Sequence, residues 1–336
     1  MHEALFFKKG PKDMVVCGLC PHNCNINPGE HGVCGTRFNH RGQLITANYG
    51  KVTALHPDPI EKKPLYHFYP GSVILSVGSF GCNMRCDYCQ NHQISQESHA
   101  VFSEYKEYHP DEIIQMALAI KGSIGLAYTY NEPVIWYEYM TDLARSAKES
   151  SLKNVMVSNG YINPDPLKKL CGLIDAFNID LKSFDPGFYS SITGSELAPV
   201  LKTLKIISSE KKHLEITFLV IPGLNDKNDV FMEMVKWISN ELGPDIPFHI
   251  SRYFPQHKRN TTTTPIETLY NFQETAKQHL SYVYLGNVSA YGGVADTHCP
   301  ECGVTVIERG GYTSGLKNAD SQGRCSRCQH EIFINR

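Results

Sequence analysis

Read for its pattern of hydrophobic and polar positions, the middle of the chain alternates two kinds of segment. Short apolar runs of β-forming type fall at 73–77, 124–129, 154–158, 176–181, 214–221, 247–251 and 282–285. Their lengths are those of buried strands. Helix-length segments separate them. Pro110, Asp111 and Glu112 open one with a proline and acids in the first turn, followed by Ile113, Ile114, Met116, Ala117 and Ile120 at helical spacing. Others fall at 134–149, 166–173, 199–209, 229–242 and 266–280. Strands separated by helices pair in parallel through right-handed crossovers. Six or seven such units predict an α/β fold of partial (β/α) barrel type over 46–290, between a cysteine-rich module at 1–45 and a tail at 291–336.

Composition narrows the class. The chain of 336 residues is 41% hydrophobic, enough for one large core with small appendages. A net charge of −2 and a pI near 6.7 argue against nucleic acid held by bulk electrostatics. No run of 18 apolar residues predicts a membrane span, and residues 1–10 lack the apolar core of a signal peptide. The expectation is a cytoplasmic protein. Cysteines there are more often metal ligands than disulfides. The twelve divide into four at 17–34, three at 82–89, four at 299–328, and Cys171, which reads as a core thiol on an apolar helix face.

Cys17, Cys20, Cys24 and Cys34 form a closed four-thiolate set that zinc or an auxiliary iron–sulfur cluster would satisfy. Zinc is the expected metal, with His22 and His31 read as solvated loop residues. Cys299-x2-Cys302 and Cys325-x2-Cys328 are two knuckles separated by 22 residues, with hairpin-forming sequence between them. They predict a zinc ribbon, rubredoxin-like iron being the alternative. The middle set is different. Cys82, Cys86 and Cys89 stand three and then two residues apart, just after a predicted strand and the loosening glycines Gly78 and Gly81. Three thiolates hold three irons of a cubane and leave the fourth open.

This stretch, with Tyr88 before its last cysteine, closely resembles the cluster loop of the radical S-adenosylmethionine enzymes, whose signature is Cys-x3-Cys-x-aromatic-Cys. The resemblance implies a 4Fe–4S cluster on Cys82, Cys86 and Cys89, and S-adenosylmethionine chelated at the open iron. It also implies reductive cleavage of that cofactor to a 5′-deoxyadenosyl radical, with the electron from a flavodoxin or ferredoxin. Tyr88 then helps place adenine.

Later strand ends carry the remaining expectations, since α/β folds gather ligands there. Thr129-Tyr130-Asn131-Glu132-Pro133 occupies the place of the family's Gly-Gly-Glu-Pro, leaving Asn131 and Glu132 to accept from the methionine ammonium. Ser158 and Asn159 resemble the Asp-Thr-Asn-Gly of glycyl-radical activating enzymes, with Val157 where those carry an acid. Asp180 and Lys182 match the family's Asp-x-Lys, for ribose hydroxyls and the methionine carboxylate. The 220–226 stretch looks like the fifth strand end, near adenine. His249 resembles a cofactor-proximal histidine, although core hydrogen bonding explains it equally well, and Arg252 is placed to reach substrate.

The lead-in at 58–71 resembles the radical member of the AmmeMemoRadiSam system, a relative of the pyruvate formate-lyase activating enzymes. That implies Memo-family and AMMECR-family partners, and a small molecule or that partner system as substrate. Glycyl-radical activation of a partner protein is the alternative. A zinc hydrolase would need a ligand set such as His-Glu-x-x-His, and the chain has none. A zinc-ribbon scaffold leaves the unsaturated three-cysteine set unexplained.

Overall fold

A computed structural model describes residues 1–96, 103–288 and 295–334. Its centre is an eight-stranded sheet: β1 (Ala54–Pro59), β2 (Val73–Gly78), β3 (Ser123–Tyr128), β4 (Lys153–Ser158), β5 (Ala176–Asp180), β6 (His213–Val220), β7 (Phe248–Arg252) and β8 (Val283–Gly286). The strands lie side by side in chain order. β2 to β8 run parallel, and β1 adds an antiparallel edge. Six helices make the crossovers: α1 (Pro110–Ala119), α2 (Tyr137–Glu149), α3 (Pro164–Cys171), α4 (Leu197–Ser209), α5 (Asn228–Leu242) and α6 (Ile266–Lys277). The expected partial barrel is therefore present, and it keeps two edges, β1 and β8.

The helices show why the pattern was readable. α2 buries Tyr137, Met140, Leu143, Ala144 and Ala147, one face at helical spacing, against β3 and β4. Each fully buried large side chain there contributes about 1.5–3 kcal/mol. Two differences from the sequence reading concern the site. The start of the expected 134–149 helix is a separate 3-10 turn, Pro133–Trp136, because the Glu132 side chain accepts from the Val134 amide and caps it. The chain also makes a π-helical turn at Tyr189–Thr193, closed by Gly194 at φ 68°. Its Thr193 carbonyl accepts from the Arg85 amide at 2.8 Å and so seats the loop after β2.

The flanking modules dock differently. The N-terminal one has two small antiparallel sheets. Its Cys17, Leu19, Cys20 and Cys34 belong to the same buried cluster as the barrel's Tyr137, Met140 and Tyr161. In the tail, Thr297–His298, Thr305–Gly310 and Thr313–Leu316 form a three-stranded sheet. It packs a second cluster against Tyr66, Tyr282 and Tyr284. Arg309, buried, donates from Nη2 to the Tyr66 carbonyl at 2.7 Å, and Ser314 donates to Glu61 at 2.7 Å. The boundary expected between 290 and 291 lies outside the described residues. Cys171 is buried in α3, as its apolar face implied.

Candidate active site

A cavity of about 580 Å³ opens at the C-terminal ends of the parallel strands. Cys82, Cys86, Tyr88 and Cys89 reach it from the loop after β2. Asn131 and Glu132 follow β3, Ser158 and Asn159 close β4, and Asp180 and Lys182 close β5. The loop is held from three directions. Asn131 Oδ1 accepts from the Ser79 amide at 3.0 Å while its Nδ2 donates to the Gly81 carbonyl at 3.1 Å. Asn159 Nδ2 donates to Asn83 Oδ1 at 2.9 Å and points at Cys82 Sγ, 3.7 Å away. Arg85 donates to the Val33 carbonyl of the N-terminal module.

Charge in the cavity is arranged around two carboxylates and a lysine. Glu132 is 2% exposed; its Oε1 accepts from the Ser158 hydroxyl at 2.7 Å and its Oε2 from the Asn159 amide at 2.8 Å. Burial outweighs these donors and pushes the carboxyl up to about 7. Lys182 Nζ pairs with Asp180 Oδ2 at 2.9 Å. Burial works against its charge, but Asp180 and the neighbouring Tyr88 and Cys86 leave it raised well above an ordinary lysine. Burial also drives the Cys82 thiol up and takes Cys86 to about 11. Asn225 of the 220–226 stretch fastens the Lys182 carbonyl at 2.8 Å, so that segment supports β5.

His249 stands elsewhere. Its Nε2 bonds Glu215 Oε2 at 2.6 Å in a buried network that also ties His213 and the Tyr66 and His67 amides to Glu215. His213 and His249 hold this carboxyl well down despite burial. The ring faces Tyr66, and Ser251, two residues on, lines the cavity instead. Arg252 Nε donates to the Thr264 carbonyl at 2.8 Å. The cavity lining also includes residues the sequence did not single out: Lys62, Lys63, Tyr130, Asn178, Asn287 and the tail's Tyr312. Lys63 and Lys62 each bond buried Asp58 at 2.8 Å, and Tyr130 donates to Asp58 at 2.7 Å. Tyr130 takes φ 75°, a left-handed backbone that glycine adopts freely. The tyrosine bears that conformation at a cost of about 1–2 kcal/mol, offset by its bond to Asp58.

The model of the radical SAM superfamily matches residues 76–238. An uncharacterized protein of Methanocaldococcus jannaschii is 41% identical over 337 residues, covering 99% of this chain and 99% of that protein. The chain belongs to the radical SAM superfamily. A pyruvate formate-lyase-activating enzyme of Staphylococcus epidermidis is 22% identical over 184 residues, 50% of this chain and 72% of its own. Among solved structures, a radical SAM methyltransferase from Sphaerobacter thermophilus has a TM-score of 0.53 at 12% identity, over 65% of this chain and 67% of that one. At that identity the likeness concerns the fold.

Membership in a radical SAM family implies a 4Fe–4S cluster and S-adenosylmethionine, and the donor set fits both. Three thiols from one loop converge on a single cavity, where burial keeps Cys82 and Cys86 protonated until metal displaces their protons. Polar groups of both signs stand beside them, as a zwitterionic cofactor requires. The tail's four thiols are built differently: Cys299, Cys302, Cys325 and Cys328 bring all four sulfurs within 4.8 Å of one another. Among the described residues no helix is long and apolar enough to cross a membrane.

Proposed function

We propose that Cys82, Cys86 and Cys89 ligate the 4Fe–4S cluster, that S-adenosylmethionine occupies the cavity beside it, and that hydrogen is abstracted from a substrate in the same space. The observation carrying this reading is that three thiols, Glu132 and the Asp180–Lys182 pair line one cavity. When bound, the cluster supplies the electron that cleaves the cofactor to methionine and a 5′-deoxyadenosyl radical. The chain's own residues then have distinct tasks. Glu132, ionised, accepts from the methionine ammonium, and Lys182 donates to the methionine carboxylate. Asp180 accepts from ribose hydroxyls. Tyr88 covers adenine, while Ser158 and Asn159 hold Glu132 in place. Lys62, Lys63 and Tyr130, joined through Asp58, border the space left for a substrate, and their polar groups favour a polar one.

The test is anaerobic reconstitution followed by reduction and low-temperature paramagnetic resonance. The intact chain should give a cluster signal that changes on adding S-adenosylmethionine. Chains with Cys82, Cys86 and Cys89 all replaced by Ala should lose that response, and a response that survived would place the cofactor elsewhere.

For the substrate, the lead-in at 58–71 supports chemistry on a small molecule, or with Memo-family and AMMECR-family partners, ahead of glycyl-radical activation. The similarity to an activating enzyme supports the second reading. Val157, which lines the cavity where activating enzymes carry an acid, weighs against it. Deuterium from the true substrate should appear in 5′-deoxyadenosine, and with a glycyl-radical partner it would come from a protein glycine. Flavodoxin or ferredoxin is the proposed donor. In the tail we propose zinc. Sulfurs around one tetrahedral zinc stand about 3.8 Å apart, and Cys299–Cys328 and Cys302–Cys325 stand at 3.4 and 3.6 Å.

A further inference from the structure

The N-terminal thiols are gathered differently from those of the tail. Cys17 closes the strand Val15–Cys17, Cys20 and Cys24 lie in the turn after it, and Cys34 precedes the strand Arg37–His40. Cys17, Cys20 and Cys34 are buried and Cys24 half-buried. Among the described residues only the tail set brings three or more ligand atoms within 4.8 Å of one another. Any three of the N-terminal thiols therefore include a wider pair, as do Cys82, Cys86 and Cys89. Thiolates on a single tetrahedral ion sit close together. Thiolates on a cubane hold separate irons at separate corners and stand wider.

Two of these sulfurs also have donors. Arg37, 1% exposed, points Nη1 at Cys17 Sγ, 3.8 Å away, while its Nη2 pairs with Glu138. The Thr36 hydroxyl donates to Cys34 Sγ at 3.4 Å. Hydrogen bonds to ligand sulfurs are a main means of setting a cluster's potential.

The third observation is position. His22, between Cys20 and Cys24, donates from Nε2 to the Asn83 carbonyl at 2.7 Å, and Asn83 adjoins Cys82. Asn159 links Asn83 Oδ1 to Cys82 Sγ. Alongside, Gly81 lies so close to the module that a Cβ there would stand 2.8 Å from the Cys34 carbonyl oxygen. Neighbours of ligands in one set thus touch neighbours of ligands in the other. Beside half-buried Cys24 the module exposes Asn23 and Val33.

We propose that Cys17, Cys20, Cys24 and Cys34 hold a second 4Fe–4S cluster, and that it is the port through which a one-electron donor of ferredoxin or flavodoxin type feeds the site at Cys82, Cys86 and Cys89. The port rests on the function proposed above; the second cluster does not. The transfer balances as one electron in and one out. The donor is oxidised by one electron, the N-terminal cluster is reduced and reoxidised, and no bond forms or breaks. This departs from the zinc expected from spacing alone.

The test uses the full-length chain, reconstituted anaerobically with iron, sulfide and zinc all present. About eight irons and one zinc per chain are expected, and about four irons with two zincs would overturn the second cluster. Replacing Cys82, Cys86 and Cys89 with Ala should leave a reducible iron–sulfur signal that ignores S-adenosylmethionine; a silent variant overturns it too. An intact chain whose signal also ignores S-adenosylmethionine would instead overturn the function proposed above, with the second cluster standing. For the port, reduction of the cofactor site by ferredoxin should slow at least tenfold in a Cys20→Ser/Cys34→Ser chain, while small-molecule reduction proceeds. Equal ferredoxin rates would overturn the port.

Discussion

At the scale of single residues, Glu132 and Lys182 carry the sharpest consequences. Glu132 has its carboxyl raised from an ordinary 4.5 to about 7 by burial. The folded state then binds a proton more tightly than the unfolded one. Its contribution to stability is full below about pH 4.5 and is lost as pH rises through about 7. Cofactor binding should run the other way, because only the carboxylate accepts from an ammonium. Affinity for S-adenosylmethionine should rise with pH through about 7, and Glu132→Gln should flatten that profile in equilibrium titrations. Lys182→Ala removes one charge-assisted contact, worth about 1.5–3 kcal/mol. Binding should weaken roughly tenfold or more with iron content unchanged. Unchanged affinity would move Lys182 to the substrate side.

At the scale of elements, the loop after β2 depends on what packs behind it. Gly81 takes φ 86°, and a Cβ there would stand 2.5 Å from Thr36 Cγ2 as well as close to the Cys34 carbonyl. Gly81→Ala therefore combines a left-handed alanine, about 1–2 kcal/mol, with a clash against backbone. Thermal unfolding should move down by several degrees and iron loading should fall; an unshifted midpoint would show that the N-terminal module yields freely. The strands and helices were legible because parallel strands covered on both faces read as continuous apolar runs. The π-helical turn was not legible. Tyr189-Ser190-Ser191-Ile192-Thr193 has no apolar period, and its bond to Arg85 spans the distance from β5 back to the loop after β2.

At the scale of the whole molecule, the tail both gathers four thiols and forms part of the cavity wall, through Tyr312. A full-length chain with Cys302→Ser and Cys325→Ser should lose about one zinc and keep its iron, since its cluster of Tyr66, Tyr282 and Tyr284 is separate from the barrel core. Metal analysis with thermal unfolding checks this. A matching loss of iron would mean that the tail supports the cysteine loop directly.

What the sequence determined by itself was local. The spacing of Cys82, Cys86 and Cys89 belongs to one loop, and Glu132, Ser158, Asp180 and Lys182 each sit at the end of a strand whose apolar run announces it. Chain order sufficed to bring them together, because successive parallel strands lie side by side. Tertiary structure decided the rest. Alternation puts His249 and Ser251 on the same face of β7, but Glu215, buried at 0% exposure, draws the histidine ring into its own network. Lys63, Tyr130 and Tyr312 are distant in sequence and line one cavity, through the pairing of Lys63 and Tyr130 with Asp58 and the docking of the tail. The close contact between the N-terminal cysteines and the loop after β2 depends on packing across Gly81, which no spacing along the chain encodes.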